Sequence, residues 1–245
     1  MKEIEISSIS AIEHLLANRP DRLKRIRILT SKPGARIEKL THRAKEFGIH
    51  IEMRAKLGRE IAEEDPVRAW VGPFPYTELG NLISLTSKEP RAIVLALDHL
   101  QDPQNFGAIC RTAEALGILG IVIPRDRAAS VGSGVYHASA GAVDTIPIVM
   151  VANLGEALRK FKEDGFWILG STLSSEGTDV NGIPTFEKIV LVMGAELEGL
   201  STYIEKLCDW RVRIPLLGRV QSLNVSVAGG ILMHYLKNRL SEKQN

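Results

Sequence analysis

The 245-residue sequence predicts an α/β fold, a C-terminal parallel-sheet domain preceded by a small α/β module. From Arg91 onward, short and wholly apolar strings alternate with helical stretches, the pattern of strands buried on both faces of a parallel sheet. Residues 1–71 alternate apolar strings and helical periodicity on a shorter scale. Composition agrees: 44% hydrophobic and 24% charged residues are ordinary for a globular chain and exclude disorder and collagen-like repetition. No apolar run approaches the roughly 18 residues that span a bilayer. The opening MKEIEISSISAIEHLL mixes acids with apolar side chains, unlike a secretory leader, so a cytoplasmic location is expected.

In the front module, Ile9, Ile12, Leu15 and Leu16 have helical spacing. RLKRIRILT reads as a strand, with Ile26 and Ile28 alternating against Arg25 and Arg27. Lys39 to Phe47 reads as a helix closed by Gly48, and IHIEM as a second strand. Residues 72–90, rich in Gly and Pro and without sustained period, read as a linker. The following domain, 91–245, offers six strands: AIVLAL (92–97), GIVIP (120–124), TIPIVMV (145–151), FWILGS (166–171), IVLVMG (189–194) and WRVRIP (210–215). A helix runs from about Asn105 to Leu116 before Gly117, and in another Leu154, Leu158 and Phe161 share one face ahead of Gly165.

The net charge of +2 conceals an asymmetry. Residues 19–59 hold 13 Lys or Arg against four acids, so that window carries +9 and the remainder −7. A polyanion partner for the front module and a solvated helix face both account for this. Cys110 and Cys208, 98 positions apart in apolar settings, read as buried thiols, neither a disulfide framework nor a metal site. His99, His137 and His234 lack metal-ligand spacing, and no metal is expected.

In a parallel sheet, ligands bind beyond the carboxyl ends of the strands. Three such loops stand out. After 92–97 comes LDHLQDPQNFGAICRTAEALG, where Asp102 or Asn105 can cap the helix and Gly107 admits a neighbouring backbone. Arg111 in that helix is flanked by apolar or small residues. It is either a surface arginine snorkelling past the core or a cation aimed at an anion in the crevice. After 189–194, Gly194 and Gly199 bracket Glu196 and Glu198; Glu198 fits a helix-start acid, and metal or glycosidase chemistry for the pair is discounted because no His or Asp cluster accompanies it. After 210–215, a Pro and Gly loop leads through Ser222, Leu223 and Asn224 into a helix whose Gly229 and Gly230 suggest tight backbone approach. Neither GxGxxG nor GxxxxGK[ST] is present at these loops.

Taken in order, DPQNFGAICRTAEALG, VMGAELEGLS and IPLLGRVQSLNVSVAGGILM resemble the three motifs of the SpoU/TrmH branch of the SPOUT RNA methyltransferases. The resemblance covers residues 91–240. It implies a deep trefoil knot in the C-terminal domain, S-adenosylmethionine held mainly by backbone groups, and a homodimer with composite sites. By position, Thr172, Gly194, Ile214, Leu216 and Leu223 would line the cofactor site. Arg111 would bind the RNA phosphate and assist loss of the 2′-hydroxyl proton, with Asn105 positioning it, Glu198 orienting it, and Ser222 and Asn224 completing the substrate side. A guanidinium does not surrender its proton at accessible pH, so electrostatic stabilisation of the developing alkoxide is the sounder role for Arg111. The layout is most similar to family members that methylate a guanosine ribose in bacterial 23S rRNA, with residues 1–71 as the RNA-binding module. EEDPVRAWVG departs from the histidine- and glutamine-containing stretch those members often carry there, which leaves tRNA or another rRNA site open as the target. A non-catalytic ribosome-binding protein on the same fold is the alternative from another class.

Overall fold

A computed structural model describes residues 3–30, 32–54, 66–195 and 199–241. The front module is a four-stranded mixed sheet in the order β1-β4-β2-β3, formed by β1 (Ile4–Ile6), β2 (Leu23–Ile28), β3 (His50–Met53) and β4 (Val67–Val71). Strand β2 is parallel to β3 and antiparallel to β4, which is antiparallel to β1. Helices α1 (Ile9–Asn18) and α2 (Ala35–Glu46) cover the face carrying Ile26, Ile28 and Val67, while Arg25 and Arg27 alternate to the other. Ser8 caps α1 by accepting from the Ala11 amide. Strands β1 and β4 are absent from the sequence reading: β1 has three residues and β4, VRAWV, five, too short for a period to stand out.

The C-terminal sheet has seven parallel strands in the order β7-β6-β5-β10-β8-β11-β9. They are β5 (Ala92–Leu97), β6 (Ile121–Pro124), β7 (Ile148–Val151), β8 (Trp167–Ser171), β9 (Thr178–Asp179), β10 (Lys188–Met193) and β11 (Trp210–Arg213). Six of these are the apolar strings of the sequence. The seventh, β9, has two residues and no apolar signature to find.

Alternation along the central strands explains the two-sided core. Ile93, Leu95, Ile189 and Leu191 face α4 (Pro103–Ala115), α5 (Ser133–Ser139) and α8 (Val225–Ser241). Ala92, Val94, Val190 and Val192 face α3 (Leu79–Ser87), α6 (Leu154–Glu163) and α7 (Thr202–Leu207). Gly48, Gly117 and Gly165, read as helix ends, all take left-handed φ, at 66°, 65° and 84°.

The stretch read as a linker is partly helical. Leu82 of α3 is fully buried against Gly120, and ahead of it Thr77 N–H donates to Ile148 C=O at 2.7 Å on the edge of β7. Leu79, Leu82, Ile83 and Thr86 do have helical spacing, obscured by the flanking prolines.

The cysteines divide. Cys110 is fully buried and its thiol is pushed far up by desolvation, whereas Cys208 is half-buried, with its thiol pushed up to about 12 by burial. Cys208 was expected to be buried, but it sits in the short turn after α7 beside exposed Asp209. The thiolate is the reactive form, so neither residue reacts appreciably at pH 7 in the native chain. A thiol-specific chromogenic reagent should titrate both on denaturation; rapid native labelling of Cys110 would contradict this burial.

Candidate active site

The carboxyl ends of β8, β10 and β11 converge on a cavity of about 290 Å³. Its walls come from the segments after those strands and from the start of α8, including Met193, Leu200, Val212 and Ala228. Thr172, Gly194, Ile214, Leu216 and Leu223 all line this cavity, as does Ser222. The sequence placed Ser222 on the substrate side; the structure puts it in the same wall as the cofactor candidates. Among the described residues its polar lining is hydroxyl and backbone (Ser171, Thr172, Ser174, Ser222) and one carboxylate, Glu205. The sequence reading missed Glu205, which lies in no motif and reaches the cavity through the tertiary packing of α7, which lies beside α6.

Glycine shapes the second loop. A Cβ on Gly194 would lie 2.1 Å from the carbonyl carbon of Gly199, an impossible contact with backbone. Gly199 itself has φ 67°, and Ala195 and Gly199 exchange two backbone hydrogen bonds of 3.0 Å. Buried Asp98, at the end of β5, accepts from the Ser201 amide at 2.7 Å and ties this loop to the neighbouring strand end. Glu198, given an orienting role by the resemblance, lies outside the described residues, as does Glu196.

On the α4 side, Asp102 is the cap, accepting from the amides of Gln104 at 3.0 Å and Asn105 at 3.3 Å. Asn105 plays a different part. Its side-chain amide donates to Asp102 at 2.8 Å, and its carbonyl accepts from Asn224 Nδ2 at 2.9 Å. Asn224 Oδ1 in turn accepts from the amide and hydroxyl of Ser226, at 2.9 and 2.6 Å. Two expected substrate-side residues thus bridge the starts of α4 and α8. Gly107 permits the α4–α5 approach, since a Cβ there would stand 2.5 Å from Ala138 Cβ and 2.8 Å from Val135 C=O. The Gly229–Gly230 pair does not meet that description: added Cβ atoms would find ordinary contacts of 3.9 Å to Ile109 and 3.6 Å to Thr112 on α4. Arg111 projects to solvent from α4, with no hydrogen bond or ion pair among the described residues and no place in the cavity wall.

A parallel α/β sheet with a cavity at its carboxyl edge, flanked by an asparagine bridge, is the architecture of the SPOUT methyltransferases that this chain matches in sequence and fold. The chain belongs to the SpoU rRNA Methylase family, which matches residues 92–234. It is 34% identical over 250 residues to the 23S rRNA (guanosine-2′-O-)-methyltransferase RlmB of Pseudomonas aeruginosa, covering 96% of each chain. An uncharacterised tRNA/rRNA methyltransferase of Synechocystis is 41% identical over 174 residues, 71% of this chain but 45% of that longer protein. The SpoU methyltransferase AviRb of Streptomyces viridochromogenes, solved with AdoMet, has the same fold, with a TM-score of 0.77 at 21% identity over 98% of this chain and 91% of that one.

Among the described residues no helix is long and apolar enough to cross a membrane, and no group of three or more His, Cys, Asp or Glu could hold a metal ion.

Proposed function

We propose that the chain transfers a methyl group from S-adenosylmethionine to a ribose 2′-hydroxyl of structured RNA, with a guanosine of 23S rRNA as the target. The observation that carries this is the convergence of three separate loops on one cavity whose lining is hydroxyl, backbone and aliphatic side chain. Such a lining suits a purine nucleoside, and its volume is at the low end for ligand pockets. S-adenosylmethionine supplies the methyl group on a sulfonium, so the protein's work is positioning and charge stabilisation. Within this reading Arg111 holds the phosphate and stabilises the developing alkoxide. Asn105 and Asn224 fix the start of α4, the helix that carries it, Glu198 orients its guanidinium, and Ser222 and Leu223 shape the wall between the two ligands.

The same reading includes a homodimer in the cytoplasm and the trefoil knot. Val227 and Ile231, one turn apart on α8, and Leu217 on the preceding loop are exposed apolar side chains that a second copy would cover. The RlmB similarity across both modules favours rRNA over tRNA. Mapping ribose methylation in rRNA and tRNA from cells with and without the protein tests the target. Loss of one 23S guanosine methyl is expected, and loss confined to tRNA would redirect the assignment.

Residues 1–71 form the RNA-holding module in this proposal, with 72–90 joining it to the domain 91–245. The charge excess resolves unevenly. Arg19, Arg25, Arg27 and Arg36 face Asp21, Glu3, Glu52 and Glu13, while Lys32, Lys39, Arg43 and Lys45 have no ion pair among the described residues. Lys39 and Arg43 stand one turn apart on the exposed side of α2. Lys39→Gln with Arg43→Gln is expected to weaken RNA binding and lower the slope of log affinity against log salt by about 1 per residue. An unchanged slope would place the RNA on another face.

A further inference from the structure

Glu205 is the one ionisable side chain among the described residues that line the strand-end cavity. It sits at the mouth, its side chain 38% exposed, with Oε1 3.4 Å from a guanidinium nitrogen of Arg211. The other terminal nitrogen of Arg211 lies 3.7 Å from a carboxylate oxygen of Glu176. Arg211 stands between two carboxylates and Arg213, two residues along β11, donates to the carbonyl of Gly177, so Glu205 is the charge that enters the described wall itself. A site that needed only to hold an uncharged nucleoside would have no use for it.

We propose that Glu205 makes the cavity discriminate by charge, favouring S-adenosylmethionine over the spent product S-adenosylhomocysteine. This rests on the cofactor assignment above. The two molecules share the adenine, the ribose and the amino-acid end; they differ by one methyl group and the positive charge on sulfur. Hydrogen bonds to the shared parts cannot separate them, but a carboxylate in the cavity wall does. The preference has a use, because a methyltransferase that held its neutral product equally well would be inhibited as product accumulates.

Arg211 sets the strength of this field. The sulfonium charge disperses as the methyl group leaves, so an uncompensated carboxylate would stabilise the reactants more than the transition state and slow the reaction. Sharing Glu205 with Arg211, and Arg211 with Glu176, leaves a weakened field that still separates the two ligands. Glu205 is therefore a specificity-determining residue, and no step of the chemistry passes through it.

Titration calorimetry of the full chain with S-adenosylmethionine and with S-adenosylhomocysteine tests this. Glu205→Gln is expected to weaken the first by about three- to tenfold and the second by less than about twofold, allowing for partial exposure of the carboxylate. Arg211→Gln leaves both carboxylates uncompensated and should shift the ratio of affinities the opposite way, toward S-adenosylmethionine. Melting of the unliganded variants reports whether each is folded, and Arg211→Gln carries the test if Glu205→Gln is not. Equal losses for both ligands, or an unchanged ratio in a folded variant, overturn the proposal. A wild-type chain that binds neither ligand overturns the cofactor assignment instead.

Discussion

Arg111→Ala should lower methyl transfer by a factor on the order of 10² to 10³, the usual loss when one preorganised charge is removed from a reacting oxyanion. The affinity for S-adenosylmethionine should hardly change, because Arg111 takes no part in the cavity wall. Stability should hold within about 0.5 kcal/mol, since the side chain is exposed and has no ion pair or hydrogen bond among the described residues. Those expectations make the variant unusually easy to interpret: activity falls without a structural explanation. Single-turnover assays under saturating cofactor, alongside calorimetric binding, measure the two separately. Activity within a few-fold of wild type would remove Arg111 from the chemistry, and a parallel loss of cofactor affinity would move it into the pocket. Arg111→Lys is informative in the other direction. It keeps the charge but loses the planar fork that grips a phosphate bidentately, so it should recover only part of the rate.

The central strands of the C-terminal sheet were legible because burial on both faces leaves almost no polar residue to blur them. All six residues of β5, AIVLAL, are buried, and so short an apolar string, repeated between helical stretches, is the pattern of strands in a parallel sheet covered on both faces. Thr172, Gly194 and Ile214 were named through the family resemblance, and they line one cavity because each directly follows such a strand. What escaped the sequence depends on separations that local pattern does not encode. Glu205 belongs to a six-residue helix with no motif, and its place in the cavity is set by tertiary packing. Asn105 could be read as a cap, but its bridge to Asn224 spans 119 residues. The basic window illustrates a different limit. Counting charges finds the excess, yet Arg25 and Arg27 are answered by Glu3 and Glu52 and stack over Trp70, at 4.4 and 4.8 Å from its ring centre. Which cations remain for a partner emerges only when the sheet is assembled.

Asp144→Ala is expected to destabilise the chain by about 3 to 5 kcal/mol, through the partner it abandons. Arg22, in the turn before β2, and Asp144, in the turn before β7, form an ion pair between the two modules, with side chains only 5% and 0% exposed. Arg22 also donates to the carbonyls of Gly72 at 2.9 Å and Pro73 at 3.2 Å, so the same guanidinium fastens the chain that leaves β4. Alongside, a Cβ on Gly141 would press within 2.8 Å of His14, which shows how closely α1 meets the turn after α5. The pair is nevertheless a poor source of stability. Burial raises the Asp144 carboxyl above its ordinary range, against the pull of Arg22. A carboxyl raised in the folded state binds its proton more tightly there than in the unfolded chain. Its contribution is therefore greatest below the ordinary carboxylate range and is lost as pH climbs through the raised value. At neutral pH the ionised pair largely offsets its own desolvation, so its value lies in specifying how the modules meet. Removing Asp144 alone strands a buried cation and should lower Tm by roughly 10 °C in a chain of this size. Replacing both members, as Arg22→Met with Asp144→Leu, removes the charges together and should recover most of that loss. Denaturant titration of the two single variants and the double one decides the matter. A double variant no more stable than Asp144→Ala would mean that the hydrogen bonds from Arg22 to Gly72 and Pro73, rather than the ion pair, hold the modules together.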